Sequence, residues 1–183
     1  MKLSVRKVAV AGVLGAVSLV LGYVPALGLI PVPTPAGHAT ILHVPAILAG
    51  VVEGPVVGLL VGLIFGTISL LQATTPAFAD PLIAILPRLF IGVFAAWTFM
   101  GLKRLPLSAR LVVSAIVGTA TNTVLVLGMM VLRGFLAAKV AVGVALLHGI
   151  PEAVVAAVVV LAVGAALARA GLIRRDSTNK PAA

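Results

Sequence analysis

Apolar runs close to bilayer length, one after another and bounded by proline, glycine and basic residues, constrain this chain more than any other feature. A span needs about 20 mostly apolar residues, because the hydrocarbon core is about 30 Å thick and a helix rises about 1.5 Å per residue. No water reaches backbone groups in that layer, so each run must be helical or packed within protein. The runs are "LSVRKVAVAGVLGAVSLVLGYVPAL", "ILHVPAILAGVV", "VVGLLVGLIFGTISLLQ", "LIAILPRLFIGVFAAWTFMGL", "LVVSAIVGTATNTVLVLGMMVL" and "PEAVVAAVVVLAVGAALARAG". They predict an all-α membrane protein: a six-transmembrane-helix bundle forming one domain over residues 1–175, followed by a polar, disordered cytoplasmic tail over 176–183. Composition points the same way, since 62% hydrophobic residues lie well above the roughly 45–50% of soluble domains.

Lys2, Arg6 and Lys7 give the first run the charged head of a signal peptide. Its length and the spans that follow make it a retained helix. Pro25, Pro31, Pro33 and Pro35, with Gly28 and Gly37, forbid a regular helix next; that stretch is an outer loop or one packed into protein at membrane depth. The run at 41–52 is short for a span, and "EGP" breaks it from the next. Residues 140–170 are too long for one ordinary span and divide at "HGIPE", where Pro151 suits a first helical turn and Glu152 favours the positive end of the dipole. "VAVGVALL" is then a short external helix. Both termini fall on one side. Lys2, Arg6, Lys7, Lys103, Arg104, Arg110, Arg169, Arg174, Arg175 and Lys180 share that side, so the positive-inside rule makes it cytoplasmic. The same distribution accounts for the net charge of +9 without nucleic acid.

Arg88 stands alone inside an apolar run. A charge near the bilayer centre costs at least about 2.5 kcal/mol, so such residues face a protein interior and often carry function. In this topology Arg88 lies about 10 Å below the outer surface and Asn122 about 20 Å above the inner face, at similar depth. His38, His43, His148 and Glu152 fall at the outer ends of their segments. Each has a plain alternative: Arg88 snorkelling or satisfying carbonyls freed by Pro81 or Pro87, Asn122 as interhelical glue, the histidines as interfacial residues, Glu152 as a helix-start residue. Asp80 reads as a cap for the fourth span. Their common side and depth favours an outward-facing cavity for a small anionic solute with hydrogen-bonding groups, its carboxylate taken by Arg88.

The absences narrow the function. There is no cysteine, hence no disulfide or thiolate site, and no cofactor or metal site is expected. No "GxxxxGK[ST]" is present, so energy from ATP would come from a partner; no "GxSxG" or "HExxH" supports an enzyme. A membrane enzyme using His148 and Glu152 would need them within hydrogen-bond reach of each other and of a nucleophile. A structural or assembly protein would instead pair Arg88 internally, with Glu152 or Asp80.

The blocks "PTPAGHATILHVPAILAGVVEGPVVGLLVGLIFGTISLLQ", "FADPLIAILPRLFIGV", "TATNTVLVLG" and "HGIPEAVVAAVVV" together resemble the substrate-binding S components of energy-coupling factor (ECF) vitamin transporters, over roughly residues 5–170. They look most like the pantothenate-type branch. The resemblance implies six helices, a water-soluble vitamin held near the outer face under the first and third external loops, and a place in a prokaryotic plasma membrane. It places Arg88, Asn122, His148 and Glu152 near the ligand, with pantothenate the best match and folate or riboflavin the alternatives. It also implies partners: a membrane coupling subunit and two cytoplasmic ATPases, with the S component toppling to release its cargo inward. Docking in the family uses small residues four apart on the first helix, for which Ala11 with Gly15 and Gly12 with Ala16 are the nearest matches.

Overall fold

The computed structural model describes residues 3–31, 38–73 and 75–173. Its helices are α1 (Val5–Tyr23), α2 (Pro25–Gly28), α3 (Val44–Glu53), α4 (Pro55–Gln72), α5 (Pro81–Ala84), α6 (Leu86–Gly101), α7 (Leu107–Leu132) and α8 (Ala138–Arg169). A short antiparallel pair, β1 (Leu29–Pro31) with β2 (His38–Thr40), and a 3-10 turn (Pro76–Ala79) complete the described elements. Five segments are long and apolar enough to cross a membrane: α1, α4, Pro81–Gly101, α7 and α8. The tail at 176–183 lies outside the described residues.

The expected second span is shorter than a span. At ten residues α3 reaches only about 15 Å, and every residue from Val44 to Val51 is buried. Contacts at its two ends fix its depth. His43, at the start, meets Thr119 near the middle of α7, while Glu53, at the end, pairs with Arg6 Nε at 2.5 Å. Arg6 also donates to the Leu172 carbonyl at 2.7 Å, so the start of α1, the end of α3 and the turn after α8 meet at the end predicted to be cytoplasmic. The chain before α3 therefore descends to mid-depth, where the β1–β2 pair supplies backbone partners.

The split expected at "HGIPE" is not there: α8 is one helix of 32 residues with Pro151 inside it. An internal proline removes one helical hydrogen bond and costs about 3 kcal/mol. Packing along α7 outweighs this, with Ala156, Val160 and Gly164 buried, the last against Leu111. At about 48 Å α8 exceeds the hydrocarbon thickness. Its first turns still expose Val140, Val142, Leu146 and Leu147, so "VAVGVALL" is the outer end of a span and no separate helix. Arg110, grouped above with the cytoplasmic basic residues, does not extend into water. It is buried, donates Nε–H to the Phe99 carbonyl at 3.2 Å and lies over the Phe99 ring, satisfying the C-terminal end of α6 rather than facing water.

Close helix contact organises the middle of the bundle. Gly58, Gly62 and Gly66 form one stripe on α4, and a methyl at any of them would strike the backbone of Gly92, Arg88 or Ile85. Small residues four apart let helix backbones touch in this way. Gly92 is in turn pressed against Gly58 and the Ala46 carbonyl, so α3, α4 and α6 meet there nearly backbone to backbone. The seam fixes the position of Arg88 through its own main chain. We expect Gly62→Ala to cost about 1–3 kcal/mol by overpacking, read as a lower thermal midpoint in detergent, whereas Gly12→Ala, with open space around it, should leave the midpoint unchanged.

Candidate functional site

Arg88 satisfies a carbonyl that a neighbouring proline leaves free. Pro87 has no N–H to give the Ile83 carbonyl four residues earlier, and Arg88 Nη1 donates to that carbonyl. The carbonyl-satisfying role anticipated for Arg88 is therefore present, but it uses only part of the guanidinium. Nη2 reaches Ser69 Oγ at a long 3.4 Å, the Phe65 and Phe78 rings flank the group at 5.5 and 4.9 Å, and Nε has no partner. Arg88 is 4% exposed, and neither Glu152 nor Asp80 pairs with it.

A cavity of about 380 Å³ opens beside it, near the lower end of the roughly 300–1,000 Å³ typical of ligand sites. Leu21 and Gly22 of α1 and Phe65, Ser69 and Gln72 of α4 form one wall. Asn122, Thr123 and Val126 of α7 with His148 and Glu152 of α8 form the opposite one, and Phe78 and Thr40 complete the lining. Four of the anticipated residues, Arg88, Asn122, His148 and Glu152, thus line one cavity although they come from three helices. Asn122 is 9% exposed and its Oδ1 has no hydrogen-bond partner. Glu152 is 3% exposed; its Oε1 accepts from the Thr40 N–H at 3.1 Å and lies 3.0 Å from His148 Nε2, an ion-pair contact when the imidazole is protonated.

His43 is placed differently. It is fully buried beneath the cavity, outside its lining, and its Nε2 meets Thr119 Oγ1 at 2.8 Å. It belongs to the packing of α3 on α7. The His38 side chain lies outside the described residues; only its backbone pairing opposite Pro31 is defined. His148 and Glu152 stand 10 and 14 residues into α8 rather than at a helix start, so their depth is greater than expected. On α1, Gly15 presses against Ile64 and Ala11 packs on the core, whereas Gly12 and Ala16 face outward.

Ser69, Gln72, Phe65, Phe78 and Thr40 were missed. Ser69 and Gln72, three apart at the outer end of an apolar run, carried the same signal as Asn122. Gln72 donates to the Gly22 carbonyl at 2.9 Å and closes the α1–α4 wall. Phe65 and Phe78 had no distinguishing mark in an apolar sequence.

The rim of the bundle at the end expected to face outward is clasped by Asp80 and Arg133. Asp80 caps α5 by accepting the Leu82 N–H at 2.9 Å and accepts from Arg133 Nε at 2.7 Å. The Arg133 hydrogen bond, then the backbone bond, hold its carboxyl below the ordinary value. A carboxylate whose folded pKa is depressed adds stability above its unfolded pKa of about 3.9 and loses it as pH falls through the lower folded value. The thermal midpoint of Asp80→Asn should therefore lie below wild type at pH 7, with the difference shrinking progressively below about pH 4; a pH-independent difference would remove the clasp's ionic role.

A bundle of apolar spans around a cavity lined by a buried arginine, a buried glutamate and a buried amide is the form of a membrane protein that binds a small polar solute. The family described as "ECF transporter, substrate-specific component" matches residues 6–164. The chain belongs to that family. Its fold is similar to that of the S component of a bacterial ECF transporter, with 20% sequence identity, a TM-score of 0.62, and coverage of 90% of this chain and 96% of the other. No curated protein matched. The family is one of transporter components that bind substrate, and the several apolar helices make this a multi-pass membrane protein.

Proposed function

We propose that this chain binds a water-soluble vitamin, best matched by pantothenate, in the outer half of a prokaryotic plasma membrane. It delivers the vitamin inward with a membrane coupling subunit and two cytoplasmic ATPases. The observation that carries this reading is the buried Arg88 guanidinium, lining the same cavity as Asn122 and, among the described residues, paired with no carboxylate. A ligand carboxylate would supply the missing counter-charge, and the partnerless Asn122 Oδ1 would take an amide N–H. Pantothenate has a carboxylate, an amide and two hydroxyls; folate and riboflavin are the alternatives. The absence of any pairing between Arg88 and Glu152 or Asp80 disfavours a purely structural role among the described residues.

The deciding experiment titrates pantothenate, folate, riboflavin, biotin and thiamine against the purified protein by calorimetry. We expect one to bind tightly and Arg88→Ala to weaken it at least a hundredfold, as loss of a buried charge pair worth about 3–5 kcal/mol requires. Unchanged affinity would refute the role of Arg88.

The outward face of α1 carrying Gly12 and Ala16 is the surface proposed for the coupling subunit, since Ala11 and Gly15 are turned inward. Leucine at both Gly12 and Ala16 should reduce co-purification with the coupling subunit several-fold while leaving solitary vitamin binding intact; an undiminished complex would move docking elsewhere.

A further inference from the structure

The cavity holds two buried charges of opposite sign that do not meet. Every partner of Arg88 is neutral: the Ile83 carbonyl, Ser69 Oγ and two phenyl rings. Glu152, lining the same cavity from α8, meets both of its partners through Oε1, the Thr40 N–H by a hydrogen bond and His148 Nε2 by an ion-pair contact. Among the described residues Oε2 has no partner, and it is not among the polar atoms sealed off without one. One lone-pair-bearing oxygen is therefore held in place by the Thr40 N–H and His148, while the other is left to whatever enters.

A buried cation without a counter-group, as Arg88 is, is costly. A ligand that is only an anion would satisfy Arg88 and bring a second acceptor toward Glu152. One that is only a cation would do the reverse. A ligand with an anionic group at one end and O–H or N–H donors at the other satisfies both walls, and charge-assisted bonds to a carboxylate are roughly twice as strong as neutral ones. We infer that the site is dipolar, and that Glu152 is a specificity-determining residue that reads hydroxyl or N–H donors on the end of the ligand opposite its anionic group. This rests on the vitamin-binding reading above and adds to it a class of substrate: a donor-bearing carboxylic acid, as distinct from a simple anion.

The test compares pantothenate with N-(3,3-dimethylbutanoyl)-β-alanine, which keeps the carboxylate and amide but replaces both hydroxyls by hydrogen. Both are titrated against wild type and Glu152→Gln. Glutamine keeps an oxygen for the Thr40 N–H, and retained affinity for the deoxy compound reports an intact cavity. Wild type should prefer pantothenate by tenfold or more, and Glu152→Gln should reduce that preference to threefold or less while still binding the deoxy compound. An undiminished preference in the variant overturns the assignment, and so does an equal loss of both compounds, which would make Glu152 structural. If wild type binds neither but takes up another vitamin of the panel, pantothenate is the wrong cargo. Where that vitamin is a carboxylic acid, Glu152→Gln is then measured on it: a tenfold loss supports the dipolar site and unchanged affinity overturns it. Binding of riboflavin or thiamine, which have no carboxylate, overturns it outright. Binding of no vitamin overturns both readings.

Discussion

The donor that Pro87 takes from the Ile83 carbonyl is returned by Arg88, one residue further along, and much of the outer half of the molecule follows from that exchange. A proline alone inside a span leaves a carbonyl unsatisfied in a medium without water, and an arginine alone leaves a charge there. Adjacent, they answer each other through one hydrogen bond. The bond commits only Nη1, so most of the cation's field remains, and the two rings that flank it fill its faces without neutralising it. The glycine stripe of α4 presses on the main chain of Arg88, which keeps the guanidinium at a fixed height.

The cavity exists because α3 is half a helix. Five long segments enclose a volume that a sixth full span would fill, and α3 occupies only the end where Glu53 meets Arg6. His43, fully buried at its start, forms part of the floor region, while Thr40 and Leu42 just before it line the space above. A descending segment at that depth needs partners for its backbone. It obtains them from the β1–β2 pairing, from Gly28, whose carbonyl accepts the Ile41 N–H, and from Glu152, which accepts that of Thr40. The residue that holds this segment is thus also one that faces the ligand space.

What the sequence made legible follows from what a bilayer penalises. Spans stood out because apolar length is demanded by the medium, and Arg88, Asn122, His148 and Glu152 stood out because polar groups at that depth are rare; the structure brings all four to one cavity. The same rule misjudged His43, since a polar residue can be tolerated by one buried partner, here Thr119, as well as by a ligand. Pro151 misled because local propensity is a weak term beside packing along a whole neighbouring helix. Arg110 was grouped with Lys103 and Arg104 on the cytoplasmic side from charge alone; its burial against Phe99 depends on a turn that brings two helix ends together. The stripe Gly58–Gly62–Gly66 was present in the sequence, but only the neighbouring backbone shows which face of α4 it serves.

The first helix joins the two ends of the molecule physically. At one end Arg6 ties it to Glu53 and to the Leu172 carbonyl; at the other Gln72 holds the Gly22 carbonyl. Between these bonds its contact with the bundle is narrow, with Gly15 and Ser18 the buried residues and Val8, Val13, Val17 and Val20 exposed. Leu21 and Gly22, in its last turn, line the cavity, and Gln72, which binds that turn, lines it as well. A shift of α1 would therefore reach the cavity wall directly through the Gln72 to Gly22 bond, without passing through the glycine seam that fixes Arg88. The two walls of the site differ in this respect: the seam holds the Arg88 position by backbone contact, whereas the α1 wall is closed by one hydrogen bond and a few side chains.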